Sequence, residues 1–141
     1  MFYTILLNNG NEIDLNSELI ETITFDEADL KTVIIGTTNR ETLHINRAEP
    51  KNQEFAEFIS TIGNTADSPE SRFIRFIDAD KRAFLVNLNN IKKETYDFQN
   101  EKQAYITMKS KETLWFCPGE QGRQRFYEIM EDILRIRKGK A

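Results

Sequence analysis

Apolar and polar residues alternate along most of the chain, and twice the alternation gives way to a longer period. Residues 2–7 are apolar and strand-like, and Asn9-Gly10 is a two-residue hairpin signal. Residues 12–15 alternate and read as a second strand; Asn16-Ser17 interrupts it, and residues 19–25 resume an extended course. A polar turn at 26–31 leads to a β-branched strand at 32–37, and Thr38-Asn39-Arg40 turns the chain into the next strand at 42–45. Then Phe55, Phe58, Ile59 and Ile62 fall at i, i+3, i+4 and i+7, the stripe of an amphipathic helix. Pro50 suits its first turn, and Gly63 and Asn64 suit its end.

The same plan returns. Strands are expected at 72–77, 104–108 and 113–116, a turn at 78–81, a long second segment over 83–86 and 91–98, and a turn at 99–103. A second helix carries Phe126, Ile129, Met130, Ile133 and Leu134 on one face and ends in Arg135, Arg137, Lys138 and Lys140, which complement the helix dipole. The letters themselves recur at one constant offset, the one that carries Glu41-Thr42-Leu43 onto Glu112-Thr113-Leu114. It also carries Phe55 onto Phe126, Ile62 onto Ile133, Phe2 onto Phe73 and Ile20 onto Ile91. No gap is needed. The expectation is an α+β protein built by tandem duplication of a ββββα unit, with antiparallel sheets each covered by a C-terminal helix and a pseudo-twofold relation. The boundaries read as 1–63 for the first repeat, 64–71 for a linker of small and polar residues, and 72–141 for the second repeat. Units of about 60 residues are marginal alone, so the two are expected to share a core or pack tightly.

Strand alternation assigns faces. Val33, Ile35, Leu43, Ile45, Ile13 and Leu15, with their counterparts Ala104, Ile106, Leu114, Phe116, Phe84 and Val86, should face the helices. The opposite face holds Thr4, Glu12, Asp14, Ile34 and His44 in the first repeat. In the second it mixes aromatic and basic groups: Phe73, Arg75, Leu85, Tyr105, Lys109 and Trp115.

Charge sharpens that contrast. Residues 1–71 hold four basic and thirteen acidic side chains, a net of −9, and residues 72–141 hold fifteen and ten, a net of +5. The overall −4 thus hides an acidic half and a basic half, which either attract each other, within or between chains, or leave the basic half for an anionic partner. Cys117 is the only cysteine, the first residues lack the basic start and cleavage site of a signal peptide, and no apolar run reaches the ~20 residues of a membrane span. A cytoplasmic protein is expected. Catalytic constellations are missing from the sequence. His44 and Cys117 show no sign of an activated pair, one His and one Cys give no metal-ligand spacing, and Asp78 and Asp80 flank a turn that favours Asp for local hydrogen bonds. No phosphate loop is present, and no cofactor, metal or enzymatic activity is expected.

The order of elements is similar to that of the Whirly and PUR-repeat families. Leu114-Trp115-Phe116-Cys117-Pro118-Gly119-Glu120-Gln121, leading into Phe126 and Ile129-Met130, resembles their last strand, proline turn and helix. The resemblance implies single-stranded nucleic acid bound on the sheet; the acidic first repeat departs from it. The stretch Leu7-Asn8-Asn9-Gly10-Asn11-Glu12-Ile13-Asp14-Leu15-Asn16, with Leu19-Ile20-Glu21-Thr22-Ile23, resembles the start of the small FlbD-type flagellar proteins.

Two functions follow as expectations. The first is a non-catalytic protein-interaction or assembly module, by a protein partner or by self-association, with the acidic repeat as one contact surface. The second is single-stranded nucleic acid binding through Phe73, Tyr105 and Trp115 as stacking rings with Arg75, Lys92, Lys93 and Lys109 as cations. Against the second stands a sheet-to-sheet core, in which Phe2, Leu6, Ile34, Phe73, Ile77 and Leu85 would meet.

Overall fold

In the computed structural model of the chain, residues 1–26, 28, 29, 31–96 and 104–139 are described, with 136–139 as backbone only. The turn expected at 99–103 and the side chains of Arg137, Lys138 and Lys140 lie outside the described residues. The protein is α+β, with antiparallel sheets and two α-helices. It divides into two compact units: residues 1–75 with 84–90, and residues 76–83 with 91–141.

The first unit opens with a hairpin of β1 (Phe2–Leu6) and β2 (Glu12–Asn16), in register from Phe2 opposite Asn16 to Leu6 opposite Glu12. The long second segment expected from the sequence is instead two strands. Asn16 accepts a hydrogen bond from the Glu18 amide on its Oδ1 and so caps a 3-10 turn, Ser17–Leu19, which redirects the chain into β3 (Ile20–Phe25). A short polar side chain that competes for backbone donors breaks the strand and sends its two halves to different partners. β3 pairs with β4 (Thr32–Thr37), and β4 with β5 (Thr42–Asn46). A 3-10 turn at Pro50–Asn52 then leads into α1 (Gln53–Thr65), which runs two residues beyond Gly63.

A five-stranded sheet has the order β5-β4-β3-β7-β6, where β6 is Phe73–Ile77 and β7 is Ala83–Asn87. Each half of the chain therefore supplies five strands rather than four before its helix. α1 buries Phe55, Ile59 and Ile62 against Val33, Ile35, Leu43 and Ile45, as the stripe requires. Tyr3, Ile5, Leu15, Ile20 and Ile23 complete that core, and Phe73 and Leu85 join it. Each such side chain taken from water contributes about 1.5–3 kcal/mol. Phe58 is only half-buried, stacked on Tyr3 at 4.9 Å.

In the second unit, β8 (Ile91–Tyr96), β9 (Ala104–Met108) and β10 (Thr113–Trp115) form a sheet in the order β10-β9-β8, followed by α2 (Glu120–Gly139). Phe126, Ile129 and Ile133 of α2 are buried, as are Ile106, Met108, Leu114 and Phe116 of the sheet side. Phe116 meets Phe76 and Phe126 edge to face, at 4.9 and 5.7 Å. Met130 is half-buried, and Leu134, expected on the buried stripe, is 51% exposed. Gly122 in the first turn of α2 has no room for a side chain, because a Cβ there would collide with the Cys117 carbonyl.

Hydrogen bonds recur at the offset that carries Glu41 onto Glu112. The Leu7 amide donates to Asn11 O at 2.8 Å and the Asp78 amide to Arg82 O at 3.0 Å; the Asn8 amide donates to His44 O at 2.9 Å and the Ala79 amide to Trp115 O at 3.0 Å. The Ser17 amide donates to Met1 O at 2.9 Å and the Leu88 amide to Arg72 O at 2.8 Å. Single bridges join Leu7 to Ile45 and Asp78 to Phe116. Four hairpins, β1–β2, β4–β5, β6–β7 and β9–β10, close in the same way, on a three-residue loop whose last residue has positive φ: Gly10, Arg40, Lys81 and Lys111. This corrects the two-residue turn expected at Asn9-Gly10. The left-handed residue has moved to the loop's third position, where it makes the bulge of a type I hairpin. One ladder lacks a counterpart. β3 also receives β7, Thr22 opposite Val86 and Ile23 opposite Leu85. The elements that the same offset matches to β3 and β7 are β8 and β2, and among the described residues β8 pairs with β9 alone and β2 with β1 alone.

A candidate interaction surface in the second unit

The sheet of the second unit presents two cross-strand rows away from α2. One is Trp115–Tyr105–Thr95, the other Thr113–Thr107–Lys93. Between them the row Leu114–Ile106–Glu94 points the other way, and Leu114 and Ile106 are buried. Tyr105 and Trp115 are directly opposed, with ring centroids 4.9 Å apart and planes tilted by 49°. Trp115 keeps 42% of its surface exposed, and Tyr105 is half-buried. The corresponding row of the first unit is His44–Ile34–Thr24, which has no such ring pair.

The cations stand at the margins. Lys93 is exposed on the edge strand opposite Thr107. Lys92 is also exposed, at an irregularity in pairing between Ile91 and Lys93. A bulge adds an extra residue and turns the strand, which breaks strict alternation. Lys109 is exposed one residue beyond β9, in the turn to β10.

Phe73 and Arg75 are not part of this surface. Both belong to the first unit, where Phe73 is 8% exposed in the hydrophobic core. Arg75 serves the end of α1: its Nη2 donates to Gly63 O at 2.9 Å, and its amide donates to Asp67 Oδ1 at 3.1 Å. A cation on the last carbonyls of a helix satisfies an otherwise orphaned acceptor and the negative end of the dipole. Of the seven residues singled out in the sequence, the sheet of the second unit and its adjoining turn therefore carry Lys92, Lys93, Tyr105, Lys109 and Trp115. Thr95, Thr107 and Thr113 complete the face. Strand register alone identifies them, and the sequence does not reveal register until partners are known.

Of the six apolar residues weighed for a sheet-to-sheet core, Phe73 and Leu85 are buried, Leu6 and Ile34 half-buried, and Phe2 and Ile77 exposed. Phe2 lines an open groove with Thr4, Pro50, Lys51, Glu54 and Glu57. Cys117 has a structural contact, its Sγ donating to Asp78 O at 3.1 Å, and His44 is exposed on β5. Asp78 accepts from the amides of Asp80 and Arg82 at 2.9 and 2.8 Å, as a turn aspartate does. No group of three His, Cys, Asp or Glu among the described residues is placed to hold a metal ion. No described helix is long and apolar enough to cross a membrane.

The chain matches no protein-family model and no curated protein.

Proposed function

We propose that this chain is a non-catalytic protein-interaction and assembly module, built from two copies of one unit, and that it engages its partner by strand addition. The observation that carries the reading is the unmatched ladder. β3 is completed by β7, whereas their repeat counterparts β8 and β2 each have one neighbour among the described residues. An unpaired edge offers a row of backbone donors and acceptors that a further strand can satisfy. The test is capture of binders on the immobilised protein with and without nuclease, followed by hydrogen exchange on the captured complex. Nuclease-resistant capture with new protection of β2 or β8 amides is expected. Capture that nuclease abolishes overturns it.

A second reading, single-stranded nucleic acid binding, is favoured by one observation: the exposed Trp115 beside Tyr105, with Lys93 on the same face. Rings for stacking and cations for phosphate are what such binding needs. Salt separates the two readings by degree, since contacts to several phosphates weaken steeply and log-linearly with salt and backbone hydrogen bonds along a strand edge do not.

A further inference from the structure

We infer that the strand completing β8 is β2 of a second copy of this chain, in the register by which β7 completes β3. The inference rests on the assembly reading and names its partner. Carrying the β3–β7 register over to the repeat counterparts sets Lys93 of one copy opposite Leu15 of the next, and Glu94 opposite Asp14.

Asn16 supports the match independently. Its counterpart Asn87 performs two tasks with one amide. Oδ1 accepts from the Asn89 amide at 3.1 Å, and Nδ2 donates to Ile20 O of the neighbouring strand at 2.9 Å. Asn16 performs the first task identically, accepting from the Glu18 amide at 3.1 Å, while no acceptor for its Nδ2 is found among the described residues. The counterpart of Ile20 is Ile91, the first residue of β8. A second copy seated on β8 therefore brings Asn16 Nδ2 to Ile91 O. Leu19 stands beside it, 38% exposed, where Asn90 in the other half reaches Ile20 O at 2.7 Å. Leu19 cannot donate a hydrogen bond, but in the joined strands its side chain gains apolar cover.

Charge agrees at long range. β2 belongs to the half with net −9 and carries Glu12 and Asp14, whereas β8 belongs to the half with net +5 and carries Lys92 and Lys93. At short range one row opposes it, because Glu94 faces Asp14 and like charges directly opposite repel. That row makes a signed expectation: Glu94→Gln tightens self-association about two- to five-fold. Among the described residues each chain leaves one edge of β8 and one edge of β2 without a strand neighbour, so the contact is heterologous and either closes a ring or continues as a filament.

The test uses the full chain with Cys117→Ser, as two single variants, Asp14→Cys and Glu94→Cys. Directly opposed antiparallel residues lie about 4.5–5.5 Å apart at Cα, within disulfide reach. Light scattering is expected to show mass rising with concentration in steps of 16.5 kDa. Oxidation is expected to join the two variants only when they are mixed. Asn16→Asp, which keeps the Oδ1 cap and removes the Nδ2 donor, is expected to weaken association about five- to ten-fold with an unchanged circular dichroism spectrum. Self-association without the mixed cross-link, or with homotypic cross-links, overturns the β8–β2 pairing and leaves the assembly reading standing. A monomer at all concentrations up to several hundred micromolar overturns the second-copy partner. The assembly reading itself then falls only if nuclease abolishes capture.

Discussion

Replacing Trp115 with alanine separates a working surface from a structural one. A fully enclosed aromatic side chain removes about 150–250 Å² from water. Trp115 keeps 42% exposure, so its covered part is about 100–150 Å². At ~25 cal/mol per Å² that is about 3 kcal/mol. A compact denatured state lowers the figure by roughly 10–40%, and alanine retains part of the contact with Tyr105. Trp115→Ala is therefore expected to destabilise by about 2 kcal/mol, below the ~3–5 kcal/mol of an enclosed ring. If bases stack on the indole, the same change weakens oligonucleotide binding by about 1–3 kcal/mol, a factor of roughly 5 to 150. Urea denaturation followed by circular dichroism measures the first quantity, and tryptophan fluorescence titrated with a single-stranded oligonucleotide measures the second. Trp115 is the sole tryptophan, so the emission reports this site alone. A stability loss above ~4 kcal/mol would refute the half-open placement. Emission that ignores oligonucleotide would remove the nucleic-acid reading and leave strand addition.

Three further outcomes test the packing. Asn52, 1% exposed, accepts from the Leu6 amide at 2.8 Å and donates to Leu6 O and Asn46 O at 3.0 Å, so Asn52→Ala should cost about 2–4 kcal/mol by stranding these groups. A loss below ~1 kcal/mol on chemical denaturation would contradict its role in tying β1 to the end of β5. Phe55→Ala and Phe126→Ala should each cost about 3–5 kcal/mol, since the rings are 1% and 4% exposed at matched positions, and a loss under ~1 kcal/mol at either would count against their equivalence. Burial, and after it the Glu54 carboxylate, raise the Tyr3 phenol above its usual value. The unfolded chain then ionises first, so stability should hold below about pH 10 and fall as pH rises from there through the raised folded value. Tyr3→Phe should remove that alkaline decline in a series of thermal melts; an unaltered decline would show that another group causes it.

Local periodicity was enough to find both helices and their inward residues, because i, i+3, i+4, i+7 spacing needs no knowledge of partners. It placed Phe55, Ile59 and Ile62 correctly, and Phe126, Ile129 and Ile133 likewise. It overreached at Phe58 and Met130, which are half-buried, and at Leu134, which is 51% exposed. The constant offset between the two halves was legible too, and hydrogen bonds recur at it. Alternation also gave the shared direction of Trp115 and Tyr105. Their opposition within one row, and the neighbours Thr95 and Lys93, required the register. Burial on strands depended on neighbours that only the tertiary structure supplies. Leu85 and Val86 are adjacent on β7 and point to opposite faces, yet both are buried, at 4% and 0%, so strand alternation alone does not sort them into covered and open positions. Phe2 and Phe73 make the same point more sharply. They are the same residue, at the same place in strands matched by the constant offset, yet one is 68% exposed and the other 8%. Phe73 sits in a strand of the five-stranded sheet and joins its core, whereas Phe2 sits in a two-stranded hairpin with an open groove beside it. Sequence determines which side chains seek cover; the pairing of distant strands determines which of them find it.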